Sequence, residues 1–94
     1  MIYEWDHSKA RANYRKHGVR FDEAVTVFDD PLAAIFEDGD HSNVESREIV
    51  VGHSIRQRLV MVSFTERGDG RIRIISARSA TKREARAHEN YTGN

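Results

Sequence analysis

The sequence predicts an α+β fold: a small antiparallel β-sheet with two N-terminal helices and one C-terminal helix, in the order β-α-α-β-β-β-(β)-α. Three observations predict it. Residues 47–79 hold runs in which apolar side chains alternate at the period of a strand. Segments with helical signals lie on both sides of that block. The connections within it are short, so consecutive strands should form an antiparallel meander. With 94 residues the chain suits a single domain, 1–94, and no repeat, linker or low-complexity segment divides it.

The elements follow in order. "IYEW" reads as a short opening strand. "DHSKARANYRKHG" reads as a helix, with Asp6 as its cap and Gly18 suited to the left-handed position after its last turn. Its apolar stripe is weak, mainly Ala10 and Tyr14. "VRFDEAVTVFDDP" is a second helix, with Asp22 as a cap, Phe21, Ala24, Val25 and Phe28 at i, i+3, i+4 and i+7, and Pro31 as its stop. "LAAIFED" is the optional strand, followed by the acidic loop "GDHSNVES". The meander is "REIVVGHSI", "RLVMVSFTE" and "RIRIISARS". Val60, Val62 and Phe64 share one face, as do Ile72 and Ile74, with Arg71 and Arg73 opposite. "GDG" at 68–70 reads as a hairpin turn. "TKREARAHENY" closes the chain as a helix, and Thr81 followed by Glu84 has the spacing of a capping box.

Composition narrows the function classes. There is no cysteine, which removes disulfides, thiolate catalysis and cysteine zinc sites and fits a reducing, cytoplasmic setting. No apolar run approaches the roughly 20 residues needed to span a bilayer. "MIYEWDHSK" shows no basic leader before an apolar stretch, so no secretory signal is expected. The five histidines (His7, His17, His41, His53, His88) form no H-x-x-x-H pair and no zinc pattern, so neither a metal nor another cofactor is expected. No P-loop, G-x-G-x-x-G or G-x-S-x-G is present.

The net charge is zero, but its distribution is uneven. Residues 1–55 carry six Lys/Arg against eleven Asp/Glu, and residues 56–94 carry nine against four. Such asymmetry points to a charged partner, whereas the ordinary alternative is a well-mixed soluble surface. Arg67, Arg71, Arg73, Arg78, Lys82, Arg83 and Arg86 crowd the last strands and the closing helix. Arginine matches phosphate with a planar fork that stays charged. Cleavage of RNA by its own 2′-hydroxyl needs a base, an acid and cations for the crowded phosphorane, and histidine and arginine are the residue types for those roles near neutral pH. A solvent-facing arginine on an antiparallel strand is more commonly just its polar face.

Three stretches carry a more specific signal: "EWDHSKARANYRKHGVRFDEAVTVFDDP", "REIVVGHS" and "LVMVSFTERGDGRIRIISARSATKRE". In their order and coverage the chain resembles the BrnT toxins of bacterial type II toxin–antitoxin systems, "KHGVRFDEA" and "RIRIISAR" being the most specific parts. The resemblance implies a RelE-like fold and a metal-independent endoribonuclease that arrests growth by cutting RNA and slowing translation. It implies a cognate antitoxin with a ribbon-helix-helix domain, BrnA-like, through which alone the complex would reach operator DNA. Carried over by position, it makes Arg67 and Arg78 candidates for phosphate and transition-state stabilisation, against salt bridges or strand-end solvation. His17 and the adjacent Lys16 become RNA-contact candidates. His17 also ends a helix, where the dipole favours a cation. Arg83 and Tyr91 join the RNA-binding set from the closing helix.

Near the C-terminus, where the family often has tyrosine then glutamate, this chain has His88 and Glu89, with Tyr91 three residues after His88. His88 is thus a candidate acid or base, or else a surface residue on a fraying end. Trp5 and Asp6 read as core and cap. On this view the basic strand and helix form the RNA-facing front and the acidic half the back, and edge strands leave room for a homodimer or an antitoxin. The competing function is a non-catalytic RNA-binding or co-repressor module.

Overall fold

In the computed structural model, which describes residues 1–38 and 46–92, the chain runs β1 (Ile2–Glu4), α1 (His7–His17), α2 (Phe21–Val25), a 3₁₀ turn (Thr26–Asp29), β2 (Ala34–Glu37), β3 (Arg47–His53), β4 (Leu59–Arg67), β5 (Arg71–Ser79) and α3 (Lys82–Thr92). The optional strand is present, so the sheet has five strands, ordered β1-β5-β4-β3-β2. The acidic loop lies mostly outside the described residues, as does His41.

One expectation about the sheet needs correction. The last four strands form the antiparallel meander, but β1 pairs in parallel with β5, Tyr3 standing beside Ile72. The sheet is therefore mixed. The first strand lies beside the last because α1 and α2 carry the chain across the sheet before the meander begins at its far edge.

α1 begins and ends where its sequence signals lie. Asp6 accepts from the Lys9 N–H at 3.0 Å, and Gly18 takes φ 70° while its N–H returns to the Tyr14 carbonyl at 2.8 Å. β1 spans only three residues, so it leaves the rest of the β5 edge bare. Asn13 completes that edge. Its amide nitrogen donates to the Ala77 carbonyl at 2.8 Å and its amide oxygen accepts from the Ala77 N–H at 3.1 Å, as a neighbouring strand would. The same NH₂ donates to the Val19 carbonyl at 3.0 Å, tying down the α1–α2 turn.

The second helix is shorter than expected, and its cap is different. Only Phe21–Val25 is α-helical, its N-cap position is Arg20 without a side-chain bond, and Asp22 lies in the first turn, where it complements the dipole. Thr26 ends the α-helix: its hydroxyl donates to the Glu23 carbonyl at 2.6 Å and accepts from the Ile55 N–H at 2.8 Å. The stripe still works as an apolar face. Phe21 and Ala24 of the stripe, with Val27 beside them, are buried against Val50, Val60, Val62, Phe64, Ile72, Ile74 and Ala77, while Val25 and Phe28 are partly buried against the same cluster. Aromatic rings extend this core, with Phe28 between Tyr3 and Phe64 at 5.3 and 5.0 Å, and Trp5 edge-on to Phe21 at 6.0 Å.

The β3–β4 connection is longer than the two residues, Arg56 and Gln57, that separate "REIVVGHSI" from "RLVMVSFTE". It runs from Ser54 to Arg58, with Gln57 at φ 64°. Contacts to α2 shape it. Buried Glu23 receives two hydrogen bonds from Arg58, at 2.7 and 2.6 Å, and one from the Ser54 hydroxyl at 2.7 Å. The bonds from Arg58 hold the Glu23 carboxyl below its ordinary range, against the opposing effect of burial.

Candidate active site

The sheet face opposite the core is built from the alternate residues of the same strands. Arg78 stands across from Met61, and Ser76 across from Ser63, which itself faces Ile49 of β3. The C-terminus of α1 brings His17 to this group. His17, Ile49, Met61, Ser63, Ser76, Ala77 and Arg78 line a cleft of about 240 Å³. A histidine and an arginine separated by 61 positions thus share one small concavity of mixed polar and apolar lining. A register irregularity at Ser63/Phe64 adds Ile75 to β5, and beyond it Ser76 and Arg78 share a side with Arg71 and Arg73.

Arg78 is held in place by α3. Its Nη1 and Nη2 donate to the two carboxylate oxygens of Glu84, each at 2.8 Å, and Nη1 also reaches the Ser79 carbonyl at 3.3 Å. Glu84 also belongs to the capping box expected at the start of this helix. The Thr81 N–H donates to its carboxylate at 2.9 Å, and the Glu84 N–H donates to the Thr81 hydroxyl at 3.1 Å. The Arg78 guanidinium is the main reason that the Glu84 carboxyl is lowered from 4.5 to about 2. Glu84 in turn raises Arg78 above its usual value, so the arginine stays charged. Among the described residues, Nε–H and one Nη2–H of Arg78 remain uncommitted.

Other sequence candidates lie elsewhere. Arg67 ends β4 at the opposite tip of the hairpin, across from Arg71 and exposed. Six strand residues separate it from Met61, the neighbour of Arg78, which is about 20 Å of strand. His88 is not a surface residue. It is 7% exposed, on the same side of α3 as Glu84 and one turn further on, and packs edge-on against the His53 ring at 6.0 Å. His53 is fixed by Asp30, whose carboxylate accepts the His53 backbone N–H at 2.7 Å. α3 therefore crosses the sheet from β5 to β3 with two points of attachment. Lys16 and Arg83 flank the cleft-forming elements and do not line it. Tyr91 falls within α3, but its side chain lies outside the described residues. Among the described residues, no three His, Asp or Glu side chains converge as metal ligands would.

The basic front is less positive than the sequence halves imply, because the fold brings the halves together. Glu4 meets Arg73 at 3.2 Å and Arg71 at 3.9 Å, and Arg71 also meets Asp69 at 3.3 Å. Sequence reasoning missed Ser63 and Ser76 as cleft residues, because alternation marks a face without saying what closes over it. It also assigned Glu84 only a capping role, since its spacing to Arg78 signals nothing.

Comparison with known families settles the lineage. A family model described as "Ribonuclease toxin, BrnT, of type II toxin-antitoxin system" matches residues 5–84. The chain belongs to the BrnT family. It is a ribonuclease toxin of a type II toxin–antitoxin system by family, and a system of that type implies an antitoxin partner. The matched span includes His17, Arg67, Arg78 and Glu84 and stops before His88 and Tyr91. Among solved structures, the Brucella abortus ribonuclease toxin BrnT is similar in fold, with a TM-score of 0.67 at 24% identity over 87% of this chain and 100% of that one. The likeness includes the mixed α+β architecture described above. No curated protein matches the chain. Among the described residues of this BrnT chain, no helix is long and apolar enough to cross a membrane.

Proposed function

We propose that this BrnT chain cleaves RNA in the cleft between His17 and Arg78, by attack of a 2′-hydroxyl on the adjacent phosphate and without a metal ion. The observation that carries the reading is the convergence of a histidine, a clamped arginine and two serine hydroxyls in one concavity. Arg78 binds the phosphate oxygens through the N–H groups that Glu84 leaves uncommitted, and stabilises the charge that grows on them in the phosphorane. His17 is the proton-transfer group: it takes the 2′-hydroxyl proton as the P–O bond forms. The P–O5′ bond then breaks, and the leaving oxygen takes a proton from the protonated His17, which returns to its starting form. The products are a 2′,3′-cyclic phosphate and a 5′-hydroxyl. Ser63 and Ser76 orient the ribose and the phosphate.

Cutting RNA in this way arrests growth by slowing translation in the cytoplasm. The antitoxin, of the ribbon-helix-helix type, neutralises the toxin by covering the cleft and carries the complex to operator DNA. The five-stranded mixed sheet is the RelE-like arrangement in this reading. The non-catalytic alternative gains no specific support, since a binding surface needs no histidine in the same cleft as its arginine.

The test is induction of this chain alone in bacteria, scoring growth and total RNA integrity beside Arg78→Ala and His17→Ala. Arrest with RNA loss, relieved by either folded variant, is the expected result. Undamaged RNA and normal growth in cells containing the folded wild-type protein would overturn the reading.

A further inference from the structure

A second cleft, larger than the first at about 400 Å³, lies on the other side of α1. Trp5, His7, Arg11, Tyr14, Arg15 and Arg20 supply its aromatic and cationic lining. Its construction follows from helix geometry. His7, Arg11, Tyr14 and Arg15 recur at three- and four-residue steps, so they stand on one side of α1. Trp5 comes from the link before the helix. Arg20 comes from the turn after Gly18, and its guanidinium lies over the Tyr14 ring at 5.0 Å. Arg11, Arg15 and Arg20 are exposed and form no ion pair among the described residues, whereas Arg58, Arg71, Arg73 and Arg78 all do. Asp22 is the one acidic residue in the lining. Three exposed arginines thus sit in the acidic half of the chain, around the rings of Trp5, Tyr14 and Phe21.

Aromatic faces interleaved with arginines are the chemistry of single-stranded nucleic acid, the rings stacking on bases and the guanidinium groups meeting phosphates. His17 lines the first cleft, and Tyr14, Arg15 and Arg20 line the second, so the C-terminal turn of α1 and the residues just after it contribute to both clefts. The geometry points to a flanking-nucleotide subsite: a single-stranded RNA cut between His17 and Arg78 continues over the end of α1 and places a neighbouring base and its phosphate among Trp5, Tyr14, Arg11, Arg15 and Arg20. This inference rests on the ribonuclease reading for the direction of the strand, but the subsite itself is tested separately.

Trp5 is the only tryptophan of the chain, so it reports on this cleft alone. The experiment titrates the protein with a short single-stranded oligonucleotide lacking 2′-hydroxyls, which cannot be cut, and follows Trp5 fluorescence. Saturable quenching is expected. Tyr14→Ala should weaken it by roughly tenfold, and Arg15→Ala or Arg20→Ala should lower the logarithmic salt slope by about 0.7 for each phosphate that the arginine neutralised. These positions are exposed, so the variants should fold. An oligonucleotide that binds by anisotropy without changing Trp5 emission would overturn the subsite and leave the ribonuclease reading standing. Equal quenching by a poly-glutamate peptide, with the same weakening in Tyr14→Ala and Arg15→Ala, would also overturn it, and would assign the cleft to an acidic protein segment. Trp5 quenching by an oligonucleotide in a chain that cuts no RNA in cells would retain the nucleotide site and remove its link to cleavage.

Discussion

Glu84 grips Arg78 with both carboxylate oxygens, at 2.8 Å each, while its own backbone closes the capping box of α3. The arginine that faces the cleft is therefore aimed by the first turn of the last helix. Arg78→Ala should reduce RNA cleavage by about 10²–10³-fold, the usual effect of removing one preorganised stabiliser of a charged transition state. Arg78→Lys should recover little, because an ammonium cannot fill a two-oxygen grip and also offer a fork to phosphate. Glu84→Gln should cost roughly tenfold by loosening Arg78. Single-turnover cleavage rates on one defined RNA check all three. A Glu84→Gln enzyme faster than wild type would mean that the carboxylate masks the arginine.

The same pair gives a pH dependence. The folded Glu84 carboxyl, at about 2, lies below its ordinary 4.5. A depressed carboxyl stabilises the fold above the ordinary value and loses that contribution as pH falls through the folded one. Attachment of the α3 N-terminus should thus weaken progressively between about pH 4.5 and 2. Amide exchange in α3 reports this, and Arg78→Gln should remove most of the pH-dependent part, the Thr81 hydrogen bonds retaining the rest. Exchange that is flat across that window in the wild type would contradict the assignment.

Arg67 and Arg78 should behave differently, because the hairpin holds them at opposite tips. Arg67→Ala should weaken RNA binding severalfold and lower the salt slope, with the rate at saturating RNA nearly unchanged. Arg78→Ala should reduce that rate. Separate measurement of binding and of saturated cleavage distinguishes them. Equal loss of saturated rate in both would place Arg67 at the reacting phosphate.

Asn13 takes the place of a strand beside Ala77. Asn13→Ala removes three buried hydrogen bonds and leaves the Ala77 N–H and two carbonyls without those partners, a loss of about 2–4 kcal/mol. Asn13→Asp should be at least as harmful, because a carboxylate would face two carbonyl oxygens. Urea unfolding followed by circular dichroism gives both numbers, and a change below about 1 kcal/mol for Asn13→Ala would refute this role.

Gly52 lets the 3₁₀ turn approach β3. A Cβ there would lie 2.9 Å from the Ala33 Cβ and 3.1 Å from both the Asp30 carboxylate and Val27. Gly52→Ala should destabilise the protein by about 1–3 kcal/mol through overpacking. It should also disturb the Asp30 bond to His53, visible as altered histidine resonances.

The strands were legible because their signal is local. Side chains alternate at period two, so Val60, Val62, Phe64, Ile72 and Ile74 declare a buried face wherever the strand lies. Asp6, Gly18 and the Thr81/Glu84 pair act within one helical turn, so the ends of α1 and the start of α3 could be read as well. The early stop of α2 was hidden, because Thr26 is drawn into a bond with Ile55 from a distant turn. The burial of His88, which the sequence left open between an acid or base and a surface residue, was hidden for the same reason, since His53, the ring it packs against, lies 35 positions away.

By itself the sequence determined the family, the order of the elements, the faces of the strands and the candidate cations, all of which depend on residue type and near-neighbour spacing. Only the tertiary structure decided which cations act together. Strand pairing set Arg78 beside Met61 and Ser76 beside Ser63, and Asn13 docked α1 on the free edge of β5. Together these brought His17 to Arg78, left Arg67 about 20 Å of strand away, and gathered Arg11, Arg15 and Arg20 around Trp5. Such proximities come from hydrogen bonds and packing between segments far apart in the chain, and no local pattern encodes them.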